Sequence, residues 1–79
     1  MTWNYRVIAF VEIDEVVLQI CRVQYDEDNE PVGYADPSIT LSTAGMKGLR
    51  WILSKQRDAL KLPILYGGER FPEEFIEKK

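Results

Sequence analysis

The stretch Thr43–Leu62, TAGMKGLRWILSKQRDALKL, decides the fold. It is the one segment long and periodic enough to read as a helix. At about 100° per residue, Met46, Leu49, Ile52, Leu53, Gln56 and Leu60 gather on one side, with Ala59 at the margin. This stripe is predicted to face a core, interrupted by a single polar residue. Lys47, Arg50, Ser54, Arg57, Asp58 and Lys61 fall on the other side. Trp51 falls there too, four residues from Lys47 and four from Lys55. Ser42 or Thr43 is the expected N-cap, and Lys61 followed by Pro63 marks the end. Gly45 and Gly48 each weaken a helix by about 1 kcal/mol against alanine, so packing has to hold this one in place.

Upstream of the helix the apolar period changes from helical to alternating. Trp3–Ile13 reads as a strand, with Tyr5, Val7, Ala9, Val11 and Ile13 on one face and Arg6, Ile8, Phe10 and Glu12 on the other. Val16–Tyr25 is a second strand, rich in β-branched residues. A short turn at Asp14-Glu15 pairs Ile13 with Val16 and sets Val11 opposite Leu18 and Ala9 opposite Ile20. The next turn is DEDNE, Asp26–Glu30, where Asn29 is the residue best suited to a left-handed conformation. Pro31–Tyr34 is a shorter third strand, held to an edge by Pro31 and Pro37.

Downstream, Pro63–Tyr66 is short and apolar and can add a little strand, and Gly67-Gly68 reads as a hinge. Phe71–Lys79 reads as one or two helical turns, with Pro72 near the start, acids first and lysines last. The expected fold is α+β: a three-stranded antiparallel meander with one long helix across one face, in the order β-β-β-α. Residues 1–66 form the domain and 67–79 a tail that docks through Phe71, Phe75 and Ile76.

Three runs carry a family resemblance: N-Y-R-V-I at Asn4–Ile8, Y-D-E-D-N-E-P-V-G at Tyr25–Gly33 and L-K-L-P-I-L at Leu60–Leu65. In this order the chain resembles a family of small, uncharacterised bacterial proteins. Its middle run is usually Y-D-E-D-G followed by P-x-G, so Asn29 stands where glycine is usual. The resemblance implies a small cytoplasmic bacterial protein and brings no activity and no catalytic residue.

Composition narrows the function. A chain of 79 residues buries a thin core and is often helped by oligomerisation. No apolar run approaches the roughly 20 residues of a membrane span, and MTWNYRVI lacks the basic leader of a signal peptide. A single cysteine, Cys21, rules out an internal disulfide and fits a reducing, cytoplasmic setting. There is no histidine, which removes the commonest general base and metal ligand and every Ser-His or Cys-His pair. No catalytic residue, cofactor or metal is expected. The acidic loop Asp26, Glu27, Asp28 and Glu30 lacks the glycine and distal glutamate of an EF-hand and reads as a solvated turn. Cys21 reads as a buried, inert thiol, and Arg6 and Arg22 as residues that flank the sheet or reach water, or alternatively pair with acids of a second subunit.

The net charge of −3 is unevenly spread. Thr43–Lys61 carries five Lys or Arg against one acid, whereas the rest of the chain carries five basic and twelve acidic residues. Lys47, Arg50, Trp51, Ser54 and Arg57 therefore form the candidate partner surface. Basic groups around an aromatic suit an acidic protein with Trp51 as anchor, or phosphates with a stacked base. Alternatively, Phe71, Phe75 and Ile76 fold back and cover Trp51. The sequence-level reading is a non-enzymatic interaction module that forms a homodimer or larger assembly. A nucleic-acid-associated protein is the alternative, disfavoured by the overall acidity.

Overall fold

A computed structural model describes residues 2–35 and 45–77. Strands β1 (Thr2–Val11), β2 (Val16–Tyr25) and β3 (Pro31–Tyr34) come first, followed by helix α1 (Met46–Ala59). Strand β4 (Ile64–Tyr66), a 3-10 turn at Gly68–Arg70 and strand β5 (Glu74–Phe75) complete the chain. The fold is α+β, but the sheet has five strands, in the order β3-β2-β1-β4-β5, where the sequence suggested three. The meander β1-β2-β3 is antiparallel, β4 runs parallel to β1, and β5 returns antiparallel to β4. The expected N-cap at Ser42 or Thr43 and the second edge proline, Pro37, lie outside the described residues.

The β1–β2 hairpin keeps its predicted faces and loses its predicted register. Val11 pairs with Val16 and Ala9 with Leu18, two residues away from the pairing expected of a tight turn. The turn takes in residues 12–15, closed by Glu12 N–H donating to the Glu15 carbonyl at 2.8 Å. A shift of two leaves every side chain on its original face, because the strand period is two. The second turn places Asn29 at φ 61°, and the Asp26 carboxylate caps it by accepting from the Asp28 and Glu30 N–H groups at 2.9 and 3.0 Å. That contact gives Asp26 a local structural task.

One face of the sheet carries the dry core. Ile8, Cys21, Val23 and Leu65 are buried together, with Phe10, Tyr25, Tyr34 and Phe71 packed against them. The sheet curls over this face. The Tyr34 ring meets Phe71 at 5.0 Å and Phe10 at 5.9 Å, and its hydroxyl accepts from Gly68 N–H at 2.8 Å. Gly67-Gly68 is thus a packed junction and not a hinge. Gly67 N–H donates to the Ala9 carbonyl at 2.8 Å, and a Cβ at Gly67 would stand 2.7 Å from the Phe10 ring. Gly68 takes φ +73°, open to glycine without strain.

Arg6 is an exception within this core. It is buried, contrary to the expectation that it reaches water. Its Nη1 donates to the Tyr25 hydroxyl at 2.8 Å and its Nη2 to the Pro63 carbonyl at 2.7 Å. The second bond ties β1 to the start of β4, so the guanidinium acts as a cross-strand clasp.

The tail is a strand rather than a helix. Phe75 pairs with Ile64 and Glu74 with Leu65, and Tyr66 N–H donates to the Glu73 carbonyl at 2.8 Å. A helix this short is unstable in water, whereas pairing with β4 satisfies the same backbone groups against an existing edge. Arg70 fastens the turn. Its guanidinium lies 3.8 Å from the Tyr66 ring centroid and bonds Glu73 at 3.2 Å, and that bond raises the Arg70 pKa above its ordinary value.

Helix α1 lies across β1 on the other face, the one bearing Trp3, Tyr5, Val7 and Ala9. It is shorter than predicted and turned about its axis. Gln56 and Ala59 are its buried residues, with Gly48, Leu49 and Ile52 half-buried beside them. Met46, Leu53 and Leu60, predicted to be core, are 61%, 53% and 67% exposed. Ala59 is fully buried against the sheet on a stripe that polar Gln56 shares.

Candidate functional site

The turned helix determines where Trp51 lies. The line Trp51, Lys55, Asp58, Leu62 follows helical spacing on one flank of the buried stripe and looks toward the N-terminal half of β1. There it meets Trp3, whose ring centroid is 6.5 Å from that of Trp51 at an interplanar angle of 75°. Tyr5 meets Trp3 edge to face at 5.4 Å. Such edge-to-face pairs hold their rings in place by about 0.5–1.5 kcal/mol beyond area burial.

Two cations flank the aromatics. The Arg22 guanidinium lies 4.3 Å from the Trp3 centroid, and Lys55 Nζ lies 5.8 Å from that of Trp51. Arg22 comes from β2, directly opposite Tyr5. Both tryptophans remain open, Trp3 at 41% and Trp51 at 51% exposure. Together with Asn4, Tyr5, Lys55, Asp58 and Leu62 they line a cleft of about 540 Å³. This is the size range of small-ligand and peptide-anchor sites. Asn4 alternates to the opposite face of β1 from Trp3 and Tyr5, and its Oδ1 is buried there without a hydrogen-bond partner.

Of the residues singled out in sequence, Trp51 alone lines the cleft. Lys47, Arg50, Ser54 and Arg57 are exposed on the outer helix surface. The three tail residues named in sequence are placed elsewhere. Phe71 packs on Tyr34 in the core, Phe75 meets Tyr66 at 5.2 Å, and Ile76 is 74% exposed. Sequence reasoning missed Trp3, Tyr5, Arg22, Asn4 and Lys55. A signal was present: Trp3, Tyr5 and Val7 share a face by simple alternation, and two large aromatics at the start of a strand face were available to meet Trp51.

Cys21 is buried in mid-strand. Among the described residues, no group of three or more His, Cys, Asp or Glu is arranged to hold a metal ion. No described helix is long and apolar enough to cross a membrane. Comparison of the chain with family models, curated proteins and solved structures found no match in any of the three.

Proposed function

We propose that the protein is a small non-enzymatic interaction module that self-associates and offers the Trp3–Trp51 cleft to an acidic protein segment. The observation that carries this is the open tryptophan pair flanked by Arg22 and Lys55. Large rigid aromatics at the centre of a surface, rimmed by charge, are what anchor a partner chain. Arg22 and Lys55 outnumber Asp58 and give the rim its positive sign.

Single-stranded nucleic acid is the second reading. It is favoured by the same exposed aromatics beside cations, which can stack bases. Against it stand the net charge of −3 and the position of Lys47, Arg50 and Arg57 outside the lining. Two cations neutralise few phosphates, so little of the affinity that comes from counterion release is available.

Both tryptophans belong to the cleft, so the unmodified protein reports on it. A Glu-rich peptide carrying one aliphatic residue should shift and quench tryptophan emission, and Lys55→Glu should weaken the response. An oligothymidine that quenches more strongly than the peptide, with steep loss in salt, would favour the second reading. Silence with both probes at low salt rejects the cleft as a partner site.

A further inference from the structure

The helix has a second flank, and the sheet has a second half. Met46, Leu53 and Leu60 recur every seven residues on the flank opposite Trp51. They are apolar and more than half exposed, and Arg50 and Arg57 come next around the helix. On the sheet, α1 leaves the far end of its own face uncovered. Val11, Val16 and Leu18 are 55%, 45% and 40% exposed there. Val16, Leu18, Tyr66, Phe75, Ile76 and Glu77 line a groove of about 490 Å³ on the same side of the molecule. It crosses β2, β1, β4 and β5, roughly 14 Å at ordinary strand spacing. Its apolar floor is bordered by acids: Glu77 in the lining, and Glu12, Asp14 and Glu15 in the exposed turn between Val11 and Val16.

We infer that a second copy of this chain fills that groove, its helix flank laid across the sheet of the first. The surfaces match in chemistry. Apolar Met46, Leu53 and Leu60 meet an apolar floor, and Arg50 and Arg57 meet the acids of the turn and Glu77. From Met46 to Leu60 the flank is about 21 Å long, enough to span the groove. Each copy owns one flank and one groove, so a two-fold axis makes the contact twice and closes the assembly at a dimer. Both helices then lie between the two sheets, while the Trp3–Trp51 clefts on the opposite flanks stay open. Contiguous apolar surface on this scale is what monomers rarely leave bare. Two reciprocal contacts are also the way a chain this small reaches the roughly 800 Å² per partner of a stable interface.

This inference rests on the reading that the chain self-associates, and the test separates the two. Sedimentation equilibrium from 10 to 200 µM gives the mass of the wild type, of Leu53→Glu, and of two double variants. One is Arg50→Glu with Arg57→Glu; the other is Glu12→Lys with Glu15→Lys. All the changed residues are exposed, and circular dichroism checks that each variant folds. The wild type is expected to be a dimer, Leu53→Glu to dissociate at least 30-fold more readily, and each double variant alone to be a monomer. Mixing the two double variants restores opposite charges at both contacts and should restore the dimer. A wild-type dimer that survives Leu53→Glu, double variants that remain dimeric alone, or a mixture that stays monomeric would each overturn this interface. All three of those outcomes leave self-association of the wild type standing. A wild type monomeric at 200 µM overturns both.

Discussion

The two faces of one sheet have been given different work. On the curled face, Ile8, Cys21 and Val23 are almost fully excluded from water, and Phe10, Tyr34 and Phe71 close around them. On the helix face, only Val7 and Ala9 are comparably buried, while Trp3, Val11, Val16 and Leu18 stay open. Both faces are written with the same kinds of residues on the same strands. The difference comes from covering: the first face closes on itself through β3 and the 3-10 turn, and the second has one 14-residue helix over a wider sheet. Burial therefore concentrates on the first face, and the exposed apolar surface on the second is where binding is proposed.

The largest predicted effect sharpens that contrast. Ile8→Ala should lower unfolding free energy by about 2–5 kcal/mol, as truncation of a fully buried side chain does. Leu18→Ala, on the open face, should cost about 1 kcal/mol or less, because its side chain already meets water. Urea unfolding of the two variants at low protein concentration measures both. Equal losses would mean that the helix face carries as much of the folding energy as the curled core.

The alternation of β1 and β2 made both faces legible in the sequence, since a period of two survives any even change of register. The register itself was not legible. Pairings that differ by two residues present identical faces, and only the turn at residues 12–15 distinguishes them. The short apolar run at Pro63–Tyr66 was legible and forms β4, but its pairing was not, because its partner β1 lies at the far end of the chain, and β5 has two residues, too few for any period. The tail's charge order suited a helix, but an available edge outweighed a weak local preference. The helix was found and its phase misjudged. Hydrophobicity placed Met46, Leu53 and Leu60 in the core, whereas the helix buries Gln56 and Ala59 and leaves those three exposed. The cleft inherited that error, so the sequence supplied Trp51 without Trp3.

Gln56 offers a smaller effect of opposite sign. It is buried under the helix, and its Nε2 has no hydrogen-bond partner among the described residues. An unsatisfied buried donor carries a desolvation cost of about 1–3 kcal/mol. Gln56→Met keeps the shape and removes the donor, so it should raise stability by about 1 kcal/mol. A rise in the urea midpoint with unchanged slope is the expected result. A fall would show that Gln56 holds the helix by a polar contact, and that the helix face is more specifically built than its open surface suggests.

The smallest effect on stability distinguishes the cleft from the outer helix surface. Lys47 and Lys55 flank Trp51 at equal sequence distance, and both are exposed. Only Lys55 lines the cleft, with its ammonium 5.8 Å from the Trp51 ring. That distance is near the limit of a cation–π contact, so its loss costs about 0.5 kcal/mol or less. Lys47→Glu should likewise change stability by no more than about 0.5 kcal/mol, as exposed substitutions generally do. Binding of the Glu-rich peptide should separate them. Lys55→Glu puts a like charge beside the docked acid and should weaken affinity about tenfold, roughly 1.4 kcal/mol. Lys47→Glu acts from beyond the lining through water and salt, where screening over about 8–10 Å leaves less than a twofold change. Equal losses from the two reversals would move the binding surface out of the cleft and onto the helix face of Lys47, Arg50, Ser54 and Arg57. Trp3 would then be a packing partner of Trp51 and not part of the contact.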